Sequence, residues 1–215
     1  MGSGIALIGA TILSACGAIA CEGEHRRKAF YLLKPLTTML IIVLLWTLRG
    51  AESSDQKYLC TAMLGCLVGD LALMGRSERA FTIGLAAFLI AHLIFIAAFA
   101  RGITTFALPA WAWLAAPYAL LGIWVLWPRA GALRAPVLVY IAVLLAMWLT
   151  AAARVHAGID SRAWLALSGA SVFVLSDSVL AWQRFVGAFR GADLLVLSSY
   201  YLAMVLIALS AGAPG

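Results

Sequence analysis

The chain is dominated by long apolar runs, each about as long as a helix must be to cross a bilayer. A transmembrane helix needs about 20 predominantly apolar residues. The composition, with 65% hydrophobic and only 11% charged residues, excludes a water-soluble globule, a disordered chain and a nucleic-acid binder. We therefore expect an all-α, polytopic membrane helix bundle with eight transmembrane helices, in which residues 1–215 form a single integral membrane domain. The predicted spans are 4–21, 29–48, 57–74, 80–100, 108–127, 134–153, 162–182 and 191–211.

Lys and Arg are distributed unevenly between the two sides of this bundle. Cytoplasmic loops are enriched in these residues, so the richer side is expected to face the cytoplasm and both termini the outside. The net charge of +6 then needs no acidic partner. The predominance of Arg, with frequent Ala and Trp, suggests a bacterial chain and hence a bacterial inner membrane. The richer side holds Arg26, Arg27, Lys28, Arg76, Arg79, Arg129, Arg134, Arg184 and Arg190, and the other holds Arg49, Lys57, Arg101, Arg154 and Arg162.

Three ionisable side chains are predicted to lie at one depth of the membrane. Lys34 lies near the start of the second run, whereas Asp70 and Asp177 lie near the ends of the third and seventh. At 1.5 Å per residue, each is roughly 6–8 Å from the same, predicted cytoplasmic, boundary. Ionisable residues inside a membrane are costly and usually functional. We therefore expect these three side chains to meet in one cavity.

The three charges allow two interpretations. Lys34 and one carboxylate could form a buried structural ion pair. A second carboxylate near the same lysine favours chemistry, because repulsion in a low-dielectric site leads one of the two to hold a proton at neutral pH. Asp70 and Asp177 could then serve as an acid and a base. Since Ser176 and Ser178 flank Asp177 and could donate hydrogen bonds to a carboxylate, we favour Asp70 as the acid.

Other polar residues lie closer to the middle of the membrane. His92 is as well explained by packing as by a functional role, and Tyr200 and Tyr201 could join helices through hydrogen bonds. Gly65-x-x-x-Gly69 predicts that the helix carrying Asp70 packs closely against a neighbour. No His, Cys and carboxylate group has the spacing of metal ligands, so we expect neither a metal nor another cofactor. Cys16, Cys21, Cys60 and Cys66 are expected to be free thiols.

A weak internal repeat relates the two halves of the chain. The segments 68–73 and 175–180 each contain an Asp, and they lie 107 residues apart with four predicted spans per half. This pattern suggests a 4+4 duplication with one Asp in the third span of each half. Such repeats are also typical of transporters, so a small-solute or proton-coupled transporter stays open at this point.

Five motifs taken together resemble those of the lysoplasmalogenase family of integral membrane proteins (YhhN-like). The resemblance covers nearly the whole chain in order and spacing. One departure is Met204, where the family pattern usually has Gln. The motifs are Lys34-Pro35-Leu36-Thr37-Thr38, Gly69-Asp70-x-x-Leu73, Ala91-His92, Ser176-Asp177-x-x-Leu180-Ala181 with Phe185, and Ser199-Tyr200-Tyr201-x-Ala203.

The resemblance implies an enzyme that hydrolyses the vinyl-ether bond of lysoplasmalogens, alkenyl-glycerophosphoethanolamine or alkenyl-glycerophosphocholine. The products are a fatty aldehyde and glycerophosphoethanolamine or glycerophosphocholine. Such hydrolysis needs a proton donor, an anion near the resulting cation and a base for water, which two carboxylates can supply. Asp70 and Asp177 are therefore the predicted catalytic residues. The predicted partners are lysoplasmalogen and the bilayer. The residues expected to bind substrate or to tune the protonation of the carboxylates are Lys34, Thr38, His92, Ser176, Tyr200 and Tyr201.

Two functions other than catalysis are also compatible with the same residues. A transporter would use the repeat and the buried charges to give access from both sides, and would drive solute uptake without lipid turnover. A non-catalytic lipid-binding membrane protein would bind lyso-lipids and release no aldehyde.

Overall fold

The fold is entirely helical in a computed structural model that describes residues 2–21, 27–47, 54–75, 77–159 and 161–211. The eight α-helices follow the order of the eight predicted runs, so the all-α prediction is confirmed. Arg26, Arg49 and Arg76, which contribute to the charge bias, lie outside the described residues. The helices are α1 (Gly2–Ala20), α2 (Arg27–Thr47), α3 (Ser54–Leu73), α4 (Glu78–Ala100), α5 (Ala115–Leu126), α6 (Arg134–His156), α7 (Ala163–Phe185) and α8 (Ala192–Ser210).

Within the part of the chain that the structure describes, five helical segments are long and apolar enough to cross a bilayer. The apolar segments Ala6–Ala20 and Ala110–Leu126 are shorter. The chain is therefore an all-helical, multi-pass membrane protein, for which five spans follow from length and composition. The five segments are Lys28–Thr47, Glu78–Ala100, Gly131–His156, Ala163–Phe185 and Ala192–Ser210.

The fifth predicted span differs most from the structure. Instead of one helix over 108–127, a 3₁₀ helix (Ala110–Leu114) leads into α5, which has only 12 residues. Pro109 immediately precedes the 3₁₀ helix, and Pro117 lies in the first turn of α5. Proline lacks a backbone N–H and is tolerated in a first helical turn, so Pro117 is compatible with a helix start at this point. Helix α5 is consequently the shortest of the eight.

Helices α3 and α4 approach each other closely along the Gly65-x-x-x-Gly69 motif. A Cβ atom placed on Gly65 would lie 3.1 Å from the Cβ atom of Ala91. A Cβ atom on Gly69 would lie 2.5 Å from the ring of Phe88. The expectation that the helix carrying Asp70 packs closely against a neighbour is therefore confirmed.

An aromatic cluster joins α4, α7 and α8 at the centre of the bundle. The Phe173 ring lies 4.8 Å from that of His92 and 5.7 Å from that of Tyr200, centroid to centroid, and both contacts are edge to face. Phe88 packs edge to face against Tyr200 at 6.0 Å. Such contacts fix ring orientations. They therefore hold the polar ends of His92 and Tyr200 in defined directions.

Gly169→Ala is expected to lower the free energy of unfolding by about 2 kcal/mol, because overpacking a close helix contact typically costs 1–3 kcal/mol. The added Cβ atom would lie 2.7 Å from Cγ1 of Ile207 and 3.0 Å from the carbonyl oxygen of Ala203 on α8. Thermal unfolding in detergent measures the effect. Gly9→Ala is the matched control, since its Cβ atom would meet nothing within 4 Å. Equal unfolding temperatures for Gly169→Ala and the wild type would contradict this close approach.

Candidate active site

A polar cavity of about 360 Å³ lies between α2, α3, α4, α7 and α8. Lys34, Asp70 and Asp177 all line it, so the three charges predicted at one depth do meet in one cavity. Ser176 and Tyr200 line it as well. The cavity lies towards the ends of α3 and α7 and the starts of α2, α4 and α8, as expected for helices that alternate in direction.

Asp70 is surrounded by groups that stabilise a negative charge. Its Oδ1 atom lies 3.4 Å from Nζ of Lys34. Its Oδ2 atom accepts hydrogen bonds from the hydroxyls of Thr38 and Tyr200, both at 2.7 Å. The side chain is almost completely buried. A buried carboxylate with a cation and two donors is satisfied in its charged form.

Asp177 has a different environment. Its Oδ2 atom accepts a hydrogen bond from the hydroxyl of Tyr140 at 2.6 Å. Among the described residues, no lysine or arginine forms an ion pair with it; the nearest ionisable nitrogen is Nε2 of His92, at 3.8 Å. A carboxyl group in such a site resembles a proton donor more than a permanent anion.

The flanking serines do not donate to Asp177, which corrects the basis on which the sequence favoured Asp70 as the acid. The Ser176 hydroxyl donates to the carbonyl oxygen of Val196 at 3.0 Å. The Ser178 hydroxyl donates to the carbonyl oxygen of Val174 and also bonds to the hydroxyl of Tyr118. Serines within a helix commonly bond to the carbonyl four residues earlier, and Ser178 does so. The surroundings of the two carboxylates therefore favour the opposite assignment.

His92 lies beside Asp177 at the end of the aromatic cluster. It is fully buried, and its Nε2 atom has no hydrogen-bond partner among the described residues. The 3.8 Å to Oδ2 of Asp177 is too long for a direct hydrogen bond. One water molecule placed beside this gap could bond to both atoms. Buried polar nitrogens are normally paired, and a bridging water would satisfy Nε2 of His92.

Two other residues of α8, Tyr201 and Met204, do not line the polar cavity. The Tyr201 ring packs 5.5 Å from that of Tyr200, and its side chain is buried outside the lining of the polar cavity. Met204 is fully buried in the hydrophobic core. Met204 therefore contributes packing at the position where the family pattern has Gln.

A second, apolar cavity of about 440 Å³ adjoins the first. Residues of α4, α5, α6 and α7 form most of its wall, and Leu121, Ile141 and Leu144 are typical of them. Asp177 lines both cavities, as do Phe88 and Leu180. A carboxyl group therefore stands at the boundary between an apolar space and a polar one.

Tyr140 was not identified from the sequence, although it contacts a predicted catalytic residue. Its only sequence signal was a hydroxyl within the first half of an otherwise apolar run. Arg184, Gln183 and Asp193 also line the polar cavity, and of these three only Arg184 had been considered from the sequence, as part of the charge bias. The described residues contain no group of three or more His, Cys, Asp or Glu side chains that could hold a metal ion.

Tyr140→Phe is expected to leave the protein folded and to lower the turnover number about tenfold, since a hydrogen bond to a carboxyl group contributes about 1–2 kcal/mol. The hydrogen bond from Tyr140 is expected to orient the Asp177 carboxyl group. Steady-state kinetics should show the loss in kcat and little change in KM. Tyr58→Phe is the matched control, because Tyr58 lies at the opposite ends of the helices, against Arg101. Equal effects of the two substitutions would contradict a positioning role.

The chain is similar to curated proteins over most of its length. The model of the YhhN family matches residues 29–211. Human lysoplasmalogenase TMEM86B is 35% identical over 182 residues, covering 84% of this chain and 74% of that protein. The mouse lysoplasmalogenase TMEM86B is 34% identical, covering 84% and 74%. Human lysoplasmalogenase TMEM86A is 35% identical over 153 residues, covering 67% and 60%. No solved structure matches the chain significantly.

Proposed function

The chain belongs to the YhhN family, and from this premise we propose that it is a membrane lysoplasmalogenase, an ether hydrolase that acts on lysoplasmalogen. The observation that carries the proposal is the position of Asp177, in the wall shared by the polar and apolar cavities. A lyso-lipid with its alkyl chain in the apolar cavity and its headgroup in the polar one would present the junction between them to Asp177. In a lysoplasmalogen, that junction is the vinyl ether.

The first chemical step proposed is protonation of the vinyl ether at carbon by Asp177. The proton of the Asp177 carboxyl group moves to the outer vinyl carbon, and the electrons of the double bond form the new C–H bond. The positive charge is then shared by the inner carbon and the ether oxygen, beside the carboxylate just formed. Asp70, held ionised by Lys34, adds a second negative charge nearby. Glycosidases stabilise a related cation with a pair of carboxylates.

The second step is attack by water. Water held between His92 and Asp177 attacks the inner carbon, and Asp177 accepts the proton that the water loses. The product is a hemiacetal. When it collapses, its hydroxyl proton passes to the glycerol oxygen, the carbon–oxygen bond breaks, and a fatty aldehyde and a glycerophospho-alcohol are released. Thr38 and Tyr200 keep Asp70 oriented through their hydrogen bonds.

We also propose a membrane arrangement for the whole chain. Residues 1–215 form one integral membrane domain with eight spans in a bacterial inner membrane, with both termini outside. The polar cavity then opens towards the cytoplasmic face. A 4+4 duplication is supported by the positions of Asp70 on α3 and Asp177 on α7, the third helix of each half.

The function is tested by offering the purified protein in detergent 1-alkenyl and 1-acyl lyso-lipids side by side. We expect aldehyde release from the alkenyl lipids only. In D₂O, with the aldehyde trapped at once by reduction, the product should carry one deuterium on the carbon next to the former carbonyl, because protonation occurs there. Binding of lyso-lipid without aldehyde would support a lipid-binding protein instead. Solute uptake into liposomes without lipid turnover would support a transporter.

A further inference from the structure

Two opposite charges stand apart at the exposed end of the polar cavity. Arg184, in the last turn of α7, and Asp193, in the first turn of α8, both line this cavity. Both side chains are described, and no ion pair links them. An exposed ion pair is worth little, so both charges are available to a ligand that carries the opposite charges.

Each of the two charges is held by a different neighbour. Nη2 of Arg184 lies 3.9 Å from Oε1 of Glu78, and its guanidinium carbon lies 4.6 Å from the centre of the Phe81 ring. Glu78 is 93% exposed, so this ion pair is weak. Oδ1 of Asp193 accepts a hydrogen bond from the neutral amide of Gln183 at 2.5 Å. The exposed end of the polar cavity, its rim, therefore carries a positive charge on Arg184 and a negative charge on Asp193 that do not neutralise each other.

The rim charges lie directly above the candidate catalytic groups. Arg184 follows Asp177 by seven residues, which is two helical turns on the same face and about 10 Å along the axis. Asp193 precedes Tyr200, the partner of Asp70, by the same interval on α8. The Arg184 guanidinium itself lies at the exposed end of the cavity, beside Glu78 and Phe81 near the start of α4.

The chemistry of a lyso-phospholipid fits this order of charges. The vinyl-ether oxygen and the phosphorus are joined by five single bonds, which span about 6 Å when extended. With the ether at Asp177, the phosphorus would lie about 4 Å short of the level of Arg184 along the helix axis, within reach of an arginine side chain. The ammonium group lies beyond the phosphate, further from the ether. Lys34 is engaged by Asp70, so Arg184 is the cation at the cavity that has only a weak partner.

We infer that Arg184 and Asp193 form the subsite for a zwitterionic headgroup, in which Arg184 binds the phosphodiester and Asp193 binds the ammonium of ethanolamine or choline. The inference rests on the proposed function and adds a specificity to it. The alternative is that Asp193 only stabilises the N-terminus of α8 through the helix dipole, a role that needs no particular orientation of the side chain. Such a role does not require Asp193 to line the same cavity as Arg184.

The test compares three alkenyl lipids that differ only in their headgroup: alkenyl-glycerophosphoethanolamine, alkenyl-glycerophosphate without the ammonium, and alkenylglycerol without the phosphate. Arg184→Gln is expected to lower the preference in kcat/KM for alkenyl-glycerophosphate over alkenylglycerol about tenfold, through KM. Asp193→Asn should lower the preference for alkenyl-glycerophosphoethanolamine over alkenyl-glycerophosphate by a similar factor. Arg190→Gln is the matched control, because Arg190 lies between α7 and α8 and does not line the cavity.

The outcomes separate the subsite from the proposed function. If the wild type releases aldehyde but both variants keep its headgroup preferences, the subsite is wrong and the function stands. The subsite is equally wrong if Arg190→Gln changes these preferences as much as Arg184→Gln. If the wild type releases no aldehyde from any of the three lipids, the proposed function fails and the subsite with it.

Discussion

Asp177→Asn is expected to lower aldehyde release about a thousandfold while leaving the protein folded. An amide cannot give a proton to carbon, and general acid catalysis contributes about 10²–10⁴ to a rate. Asn has nearly the same volume and keeps an oxygen that can accept the Tyr140 hydroxyl. The hydrogen bond that holds this part of α7 against α6 is therefore retained. Turnover of an alkenyl lyso-lipid and thermal unfolding in detergent measure the two effects separately.

Asp55→Asn is the matched control for this substitution. Asp55 pairs with Arg101 at the opposite ends of the helices and is 40% exposed, so its loss should cost at most about 1 kcal/mol of stability. Its turnover should equal that of the wild type. Wild-type turnover in Asp177→Asn would mean that Asp177 is not the acid, and the two-step mechanism would have to be abandoned.

Breaking the buried pair between Lys34 and Asp70 is expected to produce the largest loss of stability. Lys34→Met leaves the Asp70 carboxylate with two hydroxyl donors and no cation, and removing one partner of a buried pair typically costs about 3–5 kcal/mol. Adding Asp70→Asn makes the site neutral, so the double variant should recover most of this loss. Lys57→Met, at an exposed lysine, is the control and should change stability little.

Activity should not recover with stability in the double variant. The double variant is neutral and folded, but it lacks the anion that faces the developing cation, so its turnover should stay at least about a hundredfold below wild type. Recovery of both stability and turnover would assign the pair a purely structural role. Lys34→Met with wild-type stability would show that no buried ion pair forms there.

The helices could be predicted from the sequence because their end signals are local. Charges, Gly and Pro close each apolar run, and most helix ends fall within three residues of the predicted limits. The predicted start of the fifth helix was wrong, because the run contains Pro117 and the effect of a proline depends on where the helix starts. Depth was also predictable, because a rise of 1.5 Å per residue fixes how far each charge lies from a helix end. Lys34, Asp70 and Asp177 accordingly line one cavity.

The partners of each carboxylate could not be predicted, because they depend on the rotation of every helix about its axis. A helix in a membrane is apolar on nearly all faces, so its pattern does not reveal which face meets a neighbour. This is why Tyr140 was missed and why Ser176 and Ser178 were expected to donate to Asp177. Gly65 and Gly69 were informative exceptions, since small residues mark a close contact on one specific face.

The shared wall at Asp177 also has a consequence for what happens after bond cleavage. The apolar cavity reaches the lateral surface beside the exposed side chains of Leu121 and Trp182, whereas the polar cavity ends at Arg184 and Asp193. A fatty aldehyde partitions into lipid, and a charged glycerol ester partitions into water. If Asp177 is the acid, as proposed, each product would have its own exit, and neither would have to pass through the cavity of the other before the next turnover.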